Sequence, residues 1–331
     1  LKQTPLYSAH VALQAKMGAF AGWEMPLFYR SAIHEHKAVR EWMGLFDLSH
    51  MQRIRIEGEG ARALLEYLST TPLTHAVTYT TWCQPDGGTL DDLLVYRLDD
   101  THWFVVANAS NREKDLSHLL SYAPHFKNVK VTPCEEVILA LQGPQAIQRP
   151  PMQIWEKEGV LFSSTGYTGA GGIELYASPE KGVQLWEKYL TKGAEPCGLV
   201  ARDSLRLEMG YALYGHELSS TISPLESVAA WTVHLEKSFL GKEALFKQRT
   251  ACGAVLEEGI PRAECPVWFQ GQKIGEVTSG GYSPRLEKGI ALLLLVGEIH
   301  SQVEIEIRGR KIPANILTPP FISHEKIHRH P

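Results

Sequence analysis

Asp86-Gly87-Gly88-Thr89-Leu90-Asp91-Asp92-Leu93-Leu94-Val95-Tyr96 places two adjacent carboxylates between a glycine turn and an apolar strand. Gly87 and Gly88 supply the positive backbone angles that such a turn needs, and the run after them reads as a strand. Neighbouring strand side chains point to opposite faces, so one acid of the pair is expected to be buried and the other wet. A carboxylate at the mouth of a sheet accepts a proton, orients an N–H donor or stabilises a developing cation. On these residues alone, a surface hairpin that merely ends in an acid pair is the competing reading.

Working outward, residues 31–43 have helical patterning that Gly44 ends, and Leu45-Phe46-Asp47-Leu48-Ser49-His50-Met51 begins an extended stretch. Arg53-Ile54-Arg55-Ile56-Glu57 alternates like a half-buried strand, and residues 61–68 have the apolar spacing of an amphipathic helix. Residues 93–98 and 103–107 continue the sheet as hairpin partners. Ser110-Asn111-Arg112-Glu113 has capping-box spacing ahead of a helix through Leu120. Residues 137–141 close that half with another apolar strand. The segment through Tyr29, with Gly18, Gly22 and Pro26 among aromatics, reads as an irregular lead-in.

The pattern then repeats. After Gly143-Pro144, a poorly patterned link through Pro150-Pro151 leads to Gly166-Tyr167-Thr168-Gly169-Ala170-Gly171-Gly172-Ile173-Glu174-Leu175, where a glycine loop again feeds an acid into a strand. The loop matches neither G-x-G-x-x-G nor a P-loop, since no G-K-[ST] follows. Helical patterns at residues 182–190 and 201–208 complete the second unit. Two rounds of strand, helix, hairpin and helix imply an internally duplicated α+β body. Beyond Gln248 the texture changes to short alternating strands at residues 273–277, 290–296 and 303–307. Gly280-Gly281 and Ser283-Pro284 read as turns, giving an all-β C-terminal domain.

A chain of 331 residues is long enough for two domains, or for one large body with an appendage. Lys plus Arg number 33 against 37 Asp plus Glu, a net charge of -4, which argues against a polyanion-binding surface and so against nucleic acid. Cys83, Cys134, Cys197, Cys252 and Cys265 are never spaced as C-x-x-C, which suits reduced thiols and gives no structural zinc site. The longest apolar run, residues 290–296, is far short of the ~20 residues that span a bilayer, so no membrane role is expected. No signal or transit pattern shows at the start. The expected compartment is the cytoplasm, or the mitochondrial matrix for a processed organellar protein.

Glu174 and Arg202 form the second chemical constellation. A carboxylate accepts two parallel N–H bonds, which suits an amidine-like edge such as that of a pterin, and Arg202, one turn from Arg206, offers the complementary fork to a carboxylate. An ordinary surface ion pair is the competing reading. Tyr79, Tyr96, Tyr167, Tyr176, Tyr211 and Trp231 either stack a flat heterocycle or fill the core. His34-Glu35-His36 places alternate residues on different helix faces and reads as a solvated face rather than a metal cluster. His324-Glu325-Lys326-Ile327-His328 matches H-E-x-x-H, but it lies in the last eight residues. A zinc hydrolase needs that helix supported on both sides and a third ligand downstream, whereas here His330-Pro331 ends the chain. A frayed tail is the expectation, and no metal.

With these residues laid out, the chain resembles the T-protein family of the glycine cleavage system, folate-dependent aminomethyltransferases, over nearly its whole length. The resemblance rests on ordered blocks: Phe20-Ala21-Gly22-Trp23-Glu24-Met25-Pro26, Gly44 through Met51, Asp86 through Tyr96, and Asn108-Ala109-Ser110-Asn111. In the second half come Leu141-Gln142-Gly143-Pro144, Gly166-Tyr167-Thr168-Gly169, Leu213-Tyr214-Gly215 and Gly241-Lys242-Glu243-Ala244-Leu245. The family fold it implies is a three-lobed cloverleaf: two interleaved α+β lobes of antiparallel sheet and helix over residues 1–247, and a C-terminal β-barrel over residues 248–331. Carried over residue by residue, the catalytic aspartate is Asp92, the pterin-binding acid Glu174 and a substrate-binding arginine Arg202. Met51, Tyr79, Tyr96, Asn108, Tyr167, Tyr176, Tyr211 and Trp231 match positions that line the folate channel. The implied donor is the lipoylated H-protein and the implied acceptor tetrahydrofolate, with no metal.

The chain departs from that pattern at three places. Ala170-Gly171 stands where most relatives have Glu-Asp. The link from Gln142 to Gly166 is short, as if a helix and a hairpin were missing. Ile322-Ser323 follows Pro320-Phe321 where an aromatic or basic residue is usual. Iron–sulfur maintenance proteins of the same fold bind folate without this transfer, but their Lys-Gly-Cys-Tyr-x-Gly-Gln-Glu signature is absent here.

Overall fold

The structure is a computed structural model and describes residues 1–323. The first half contains α1 (Tyr7–Ala12), β1 (Lys16–Phe20), β2 (Trp23–Phe28), α2 (Ala32–Glu41), β3 (Gly44–Asp47), β4 (Gln52–Glu57) and α3 (Ala61–Leu68). It continues with β5 (Val77–Cys83), β6 (Thr89–Arg97), β7 (His102–Ala107), α4 (Arg112–Tyr122), β8 (Lys130–Cys134) and β9 (Val137–Gln142). Then come β10 (Ile154–Lys157), β11 (Val160–Ser163), β12 (Gly172–Ala177), α5 (Pro179–Thr191), β13 (Glu195–Pro196) and α6 (Leu199–Glu208). The last strands are β14 (Arg249–Leu256), β15 (Pro266–Phe269), β16 (Gln272–Ser283), β17 (Lys288–Val296), β18 (Gln302–Ile307) and β19 (Arg310–Leu317). Among the described residues, no helix is long and apolar enough to cross a membrane.

Two sheets carry the repeat expected from the sequence. One has the order β5-β6-β7-β4-β8 and the other β10-β11-β12-β9-β3-β13. In each, three consecutive strands form a meander and the strand before them returns to pair with the third: β4 with β7, and β9 with β12. The second sheet also takes in β3, which precedes the whole first unit and pairs with β9, so the two lobes interleave. Strands β14 to β19 close a six-stranded barrel in the order β14-β17-β16-β15-β18-β19.

Period-two alternation explains why the sheets stack. On β6, Leu93 and Val95 pack with Leu64, Leu65 and Leu119 of α3 and α4, while Leu94 and Tyr96 pack with Tyr176. On β12, Ile173 and Leu175 pack with Leu185 and Trp186 of α5, while Tyr176 faces Tyr96 and Phe104. Each sheet therefore gives one apolar face to its own helices and the other to its sister sheet.

Several expectations are corrected. The lead-in is ordered as a helix and a hairpin: Gly22 at φ +81 and Ala21 at φ +47 turn β1 into β2. Gly280 and Gly281 lie inside β16 rather than in a turn. There a Cβ on Gly280 would stand 2.7 Å from the Pro261 carbonyl, so the glycine permits a close chain crossing. The link after Gln142 keeps a hairpin, β10 to β11. His34-Glu35-His36 is not a solvated face, because Glu35 and His36 are buried. Glu35 accepts from the backbone N–H groups of Tyr29 at 2.7 Å and Gly198 at 2.8 Å, filling polar needs that water meets elsewhere. Asn111, not Ser110, is the N-cap of α4, and its side chain makes no capping bond.

Candidate functional site

Both acids of the opening stretch are buried, which corrects the expectation of one wet side chain. The alternation was read correctly, but both faces of β6 are covered. Asp92 points to the space between the sheets, with Leu94 and Tyr96; Asp91 points under α4.

Asp92 is held from two sides. Its Oδ2 accepts from the Tyr79 hydroxyl at 2.9 Å and its Oδ1 from Asn108 Nδ2 at 3.0 Å. Strand register makes the first bond possible: Asp92 lies opposite Thr81 on β5, which leaves Tyr79 diagonal to it on the same face. Burial pushes the Asp92 carboxyl up to about 7, the neighbouring Asp91 charge adds to that rise, and the bonds from Tyr79 and Asn108 oppose it. Tyr79 packs on Trp231 with centroids 5.7 Å apart, and Trp231 is 66% exposed, so this aromatic pair runs from the acid to the surface.

Glu174 lies on β12, on the same strand face as Tyr176, which packs against the sister sheet. Its Oε2 accepts from Thr165 Oγ1 at 2.5 Å. Burial raises its carboxyl, while that bond and the Arg202 charge act against the rise. Tyr96 and Tyr176 join the two sheets beside it, hydroxyl to hydroxyl at 2.7 Å.

The surface ion pair considered for Glu174 and Arg202 is not formed. Glu174 is buried, and the Arg202 guanidinium instead lies over the Tyr167 ring at 4.6 Å. Among the described residues, no carboxylate stands within 4 Å of Arg202. Tyr167 stacks on Tyr211 at 5.7 Å, and its hydroxyl donates to the Ala212 carbonyl. Burial raises the Tyr167 hydroxyl, and the charges of Arg206, Asp92 and Arg202 all act on it. Met51 packs on the same inter-sheet cluster, and its carbonyl is held by Arg53 and Arg112.

The eleven residues singled out from the sequence thus fall into three adjoining groups: Asp92 with Tyr79, Asn108 and Trp231; Glu174 with Tyr96, Tyr176 and Met51; and Arg202 with Tyr167 and Tyr211. Three more belong here and were missed. Asp91, Asn111 and Asp115 lie directly behind Asp92; Asp91 was visible as the other half of the acid pair but given no role, and the sequence signal for the other two is that Asn111, the N-cap of α4, stands four residues before Asp115. Among the described residues, no group of three or more His, Cys, Asp or Glu is placed to hold a metal ion. The His324-to-His328 match lies outside the described residues.

Comparison with known proteins agrees with this architecture. Residues 6–149 and 151–237 match the GCVT N-terminal domain, and residues 249–322 match the glycine cleavage T-protein C-terminal barrel domain. An aminomethyltransferase of Thermus thermophilus is 40% identical over 349 aligned residues, covering 97% of this chain and 99% of the relative. That of Moorella thermoacetica is 42% identical over 362, covering 98% and 99%. The crystal structure of the glycine cleavage system aminomethyltransferase T from Bartonella henselae superimposes with a TM-score of 0.92 at 34% identity, over 97% of this chain and 98% of that one. Matches of this identity and span, on a body of two interleaved sheets followed by a closed barrel, make the chain a member of the glycine cleavage T-protein family of aminomethyltransferases.

Proposed function

We propose that this protein moves an aminomethyl group from the dihydrolipoyl arm of the H-protein to tetrahydrofolate, releasing ammonia and 5,10-methylenetetrahydrofolate. Residues 1–247 would form the folate-binding body and residues 248–331 the barrel, acting in the cytoplasm, or in the matrix if the protein is organellar. The observation that carries this reading is Asp92: a buried carboxylate held by Tyr79 and Asn108 on the face of its sheet that packs against the sister sheet bearing the buried Glu174.

The residues present suit a reduced folate. Tyr79 with Trp231, and Tyr167 with Tyr211, give flat walls for a ring system. Glu174 accepts the paired N–H groups of a pterin edge, and Arg202, with no carboxylate partner among the described residues, takes a ligand carboxylate. Loss of ammonia from S–CH₂–NH₃⁺ leaves a sulfur-stabilised cationic carbon, which one folate nitrogen attacks as it gives up its proton. The C–S bond then breaks, the lipoyl thiolate leaves and takes up a proton, and the second folate nitrogen closes the ring and releases its own. Ionised Asp92 stabilises that cation, keeps the folate N–H in line and accepts the released proton. One buried group in these roles contributes ~10²–10⁴ in rate.

The test is a turnover assay with tetrahydrofolate and aminomethyl-loaded H-protein, run with and without the folate. Folate-dependent formation of methylenetetrahydrofolate with matching ammonia is expected. Ammonia release at one rate in both arms, with no folate product, would overturn the proposal.

A further inference from the structure

Behind Asp92, on the helix-covered face of the same sheet, lies a carboxyl pair that touches neither aromatic wall. Asp91 and Asp115 are both fully buried. Asp91 is rich in donors: it accepts from the Asn108 backbone N–H at 3.1 Å, from Asn108 Nδ2 at 2.9 Å and from Asn111 Nδ2 at 2.5 Å. Asp115 is the reverse. Among the described residues neither of its oxygens has a hydrogen-bond donor, and its carboxyl lies within bonding reach of that of Asp91.

A bond between two carboxyl groups needs a proton from one of them. The donor count says which. Burial raises the Asp91 carboxyl, but three N–H donors stabilise a charge there against it, whereas an ionised Asp115 would be a buried charge with no such donor, a costly state that protonation relieves. We propose that Asp115 is a neutral carboxylic acid donating its proton to ionised Asp91, and that the two form a positioning pair that holds Asn108 against Asp92 and keeps a fixed negative charge behind it. Asn108 transmits the first effect directly, because one side-chain nitrogen reaches Asp91 Oδ1 at 2.9 Å and Asp92 Oδ1 at 3.0 Å.

Other charges nearby do not reverse the assignment. Lys114 on α4 favours ionisation of Asp115, but burial lowers its own proton affinity and its ammonium is committed to the Tyr214 hydroxyl at 2.7 Å. Asp92 on β6 opposes any further negative charge on Asp115. The hydroxyls of Tyr79 on β5 and Tyr214 are raised, first by burial and then by these acids, so both stay neutral. His118, one turn along α4, is lowered by burial and by Lys114 and brings no charge at neutral pH.

The pair can be read directly from aspartate carboxyl-carbon chemical shifts in the full-length protein, titrated from about pH 5 to about pH 9 around the Asp92 transition. In the wild type, one carbon should keep the shift of a neutral acid at the alkaline end, and Asp115→Asn should remove that signal. If every aspartate carbon of the wild type shows the ionised shift at the alkaline end, the proposal is wrong, whatever the variants do.

The link to turnover, which rests on the function proposed above, is tested by the pH dependence of kcat/KM. Asp91→Asn should move its acid limb down by about one unit or more, since the charge behind Asp92 is gone. Asp115→Ala should lower kcat about tenfold or more and Asp115→Asn should recover most of it, because an amide still donates to Asp91. An acid limb that stays put in Asp91→Asn, or equal losses in both Asp115 variants, would overturn the positioning role. Absence of any acid limb in the wild type would count against Asp92 as the acting group, while the carbon spectrum still decides the pair.

Discussion

In the proposed reaction, Asp92 sits where two demands conflict: it must be ionised to face a cation, and it must be dry for that charge to act strongly. Dryness prevails enough to raise its carboxyl to about 7. Because this folded-state value lies above the ordinary 3.8, the folded protein takes up a proton that the unfolded chain does not hold between those limits. The contribution of Asp92 to stability therefore falls as pH rises from about 4 to about 7 and is fully unfavourable above that window. Two outcomes follow for Asp92→Asn. Folate affinity stays within a few-fold while formation of methylenetetrahydrofolate falls ~10²–10⁴-fold, and the urea midpoint at alkaline pH is no lower than that of the wild type. Unchanged turnover would remove Asp92 from its role. Glu174→Ala should weaken folate binding before it affects chemistry, read by tryptophan fluorescence titration; full affinity would cancel the pterin assignment.

The turn before β6 shows what a single element demands. Gly87 has φ +87, and a Cβ there would lie 2.2 Å from the Ala244 carbonyl oxygen. Gly87→Ala combines backbone strain with a clash and is expected to cost about 1–3 kcal/mol in stability by urea unfolding. A wild-type midpoint would show that the turn relaxes freely. Elsewhere the element level separates what was legible from what was not. Alternation showed that Asp91 and Asp92 face opposite ways, yet nothing in those residues says that α4 covers one face and the sister sheet the other. The same blindness applies to α2, where spacing rightly separated His34 from His36 but could not show that α6 covers His36.

At the scale of the whole molecule, Glu208 ties the body to the barrel. From the end of α6 it accepts from Arg40 at 2.8 Å, stands 3.1 Å from His36 Nε2, and accepts from Ser283 Oγ at 2.5 Å where β16 ends. Burial alone would raise its carboxyl, but His36, Arg40 and Ser283 outweigh that and bring it down to about 2. A depressed folded value makes this contribution complete above the ordinary 4.5 and progressively lost as pH falls toward 2. Glu208→Gln leaves Arg40 buried without its counter-charge and should cost about 3–5 kcal/mol. It should also flatten acid unfolding between about pH 4.5 and pH 2, followed by tryptophan fluorescence. An acid transition identical to the wild type would show that the network does not hold the two parts together.

By itself the sequence determined the local periods, the glycine turns, the repeat of strand and helix units, the all-β ending and the identity of the acids and aromatics, because backbone geometry and hydrophobic patterning act over a few residues. Tertiary structure alone decided which faces are dry. The insertion of β3 beside β9 interleaves the lobes, the stacking of the two sheets buries Asp92 and Glu174 on facing walls, and the docking of α4 brings Asp115 to Asp91. Those contacts join residues far apart in the chain. Desolvation, which sets the proton affinity of each acid, is a property of the assembled fold rather than of any short stretch.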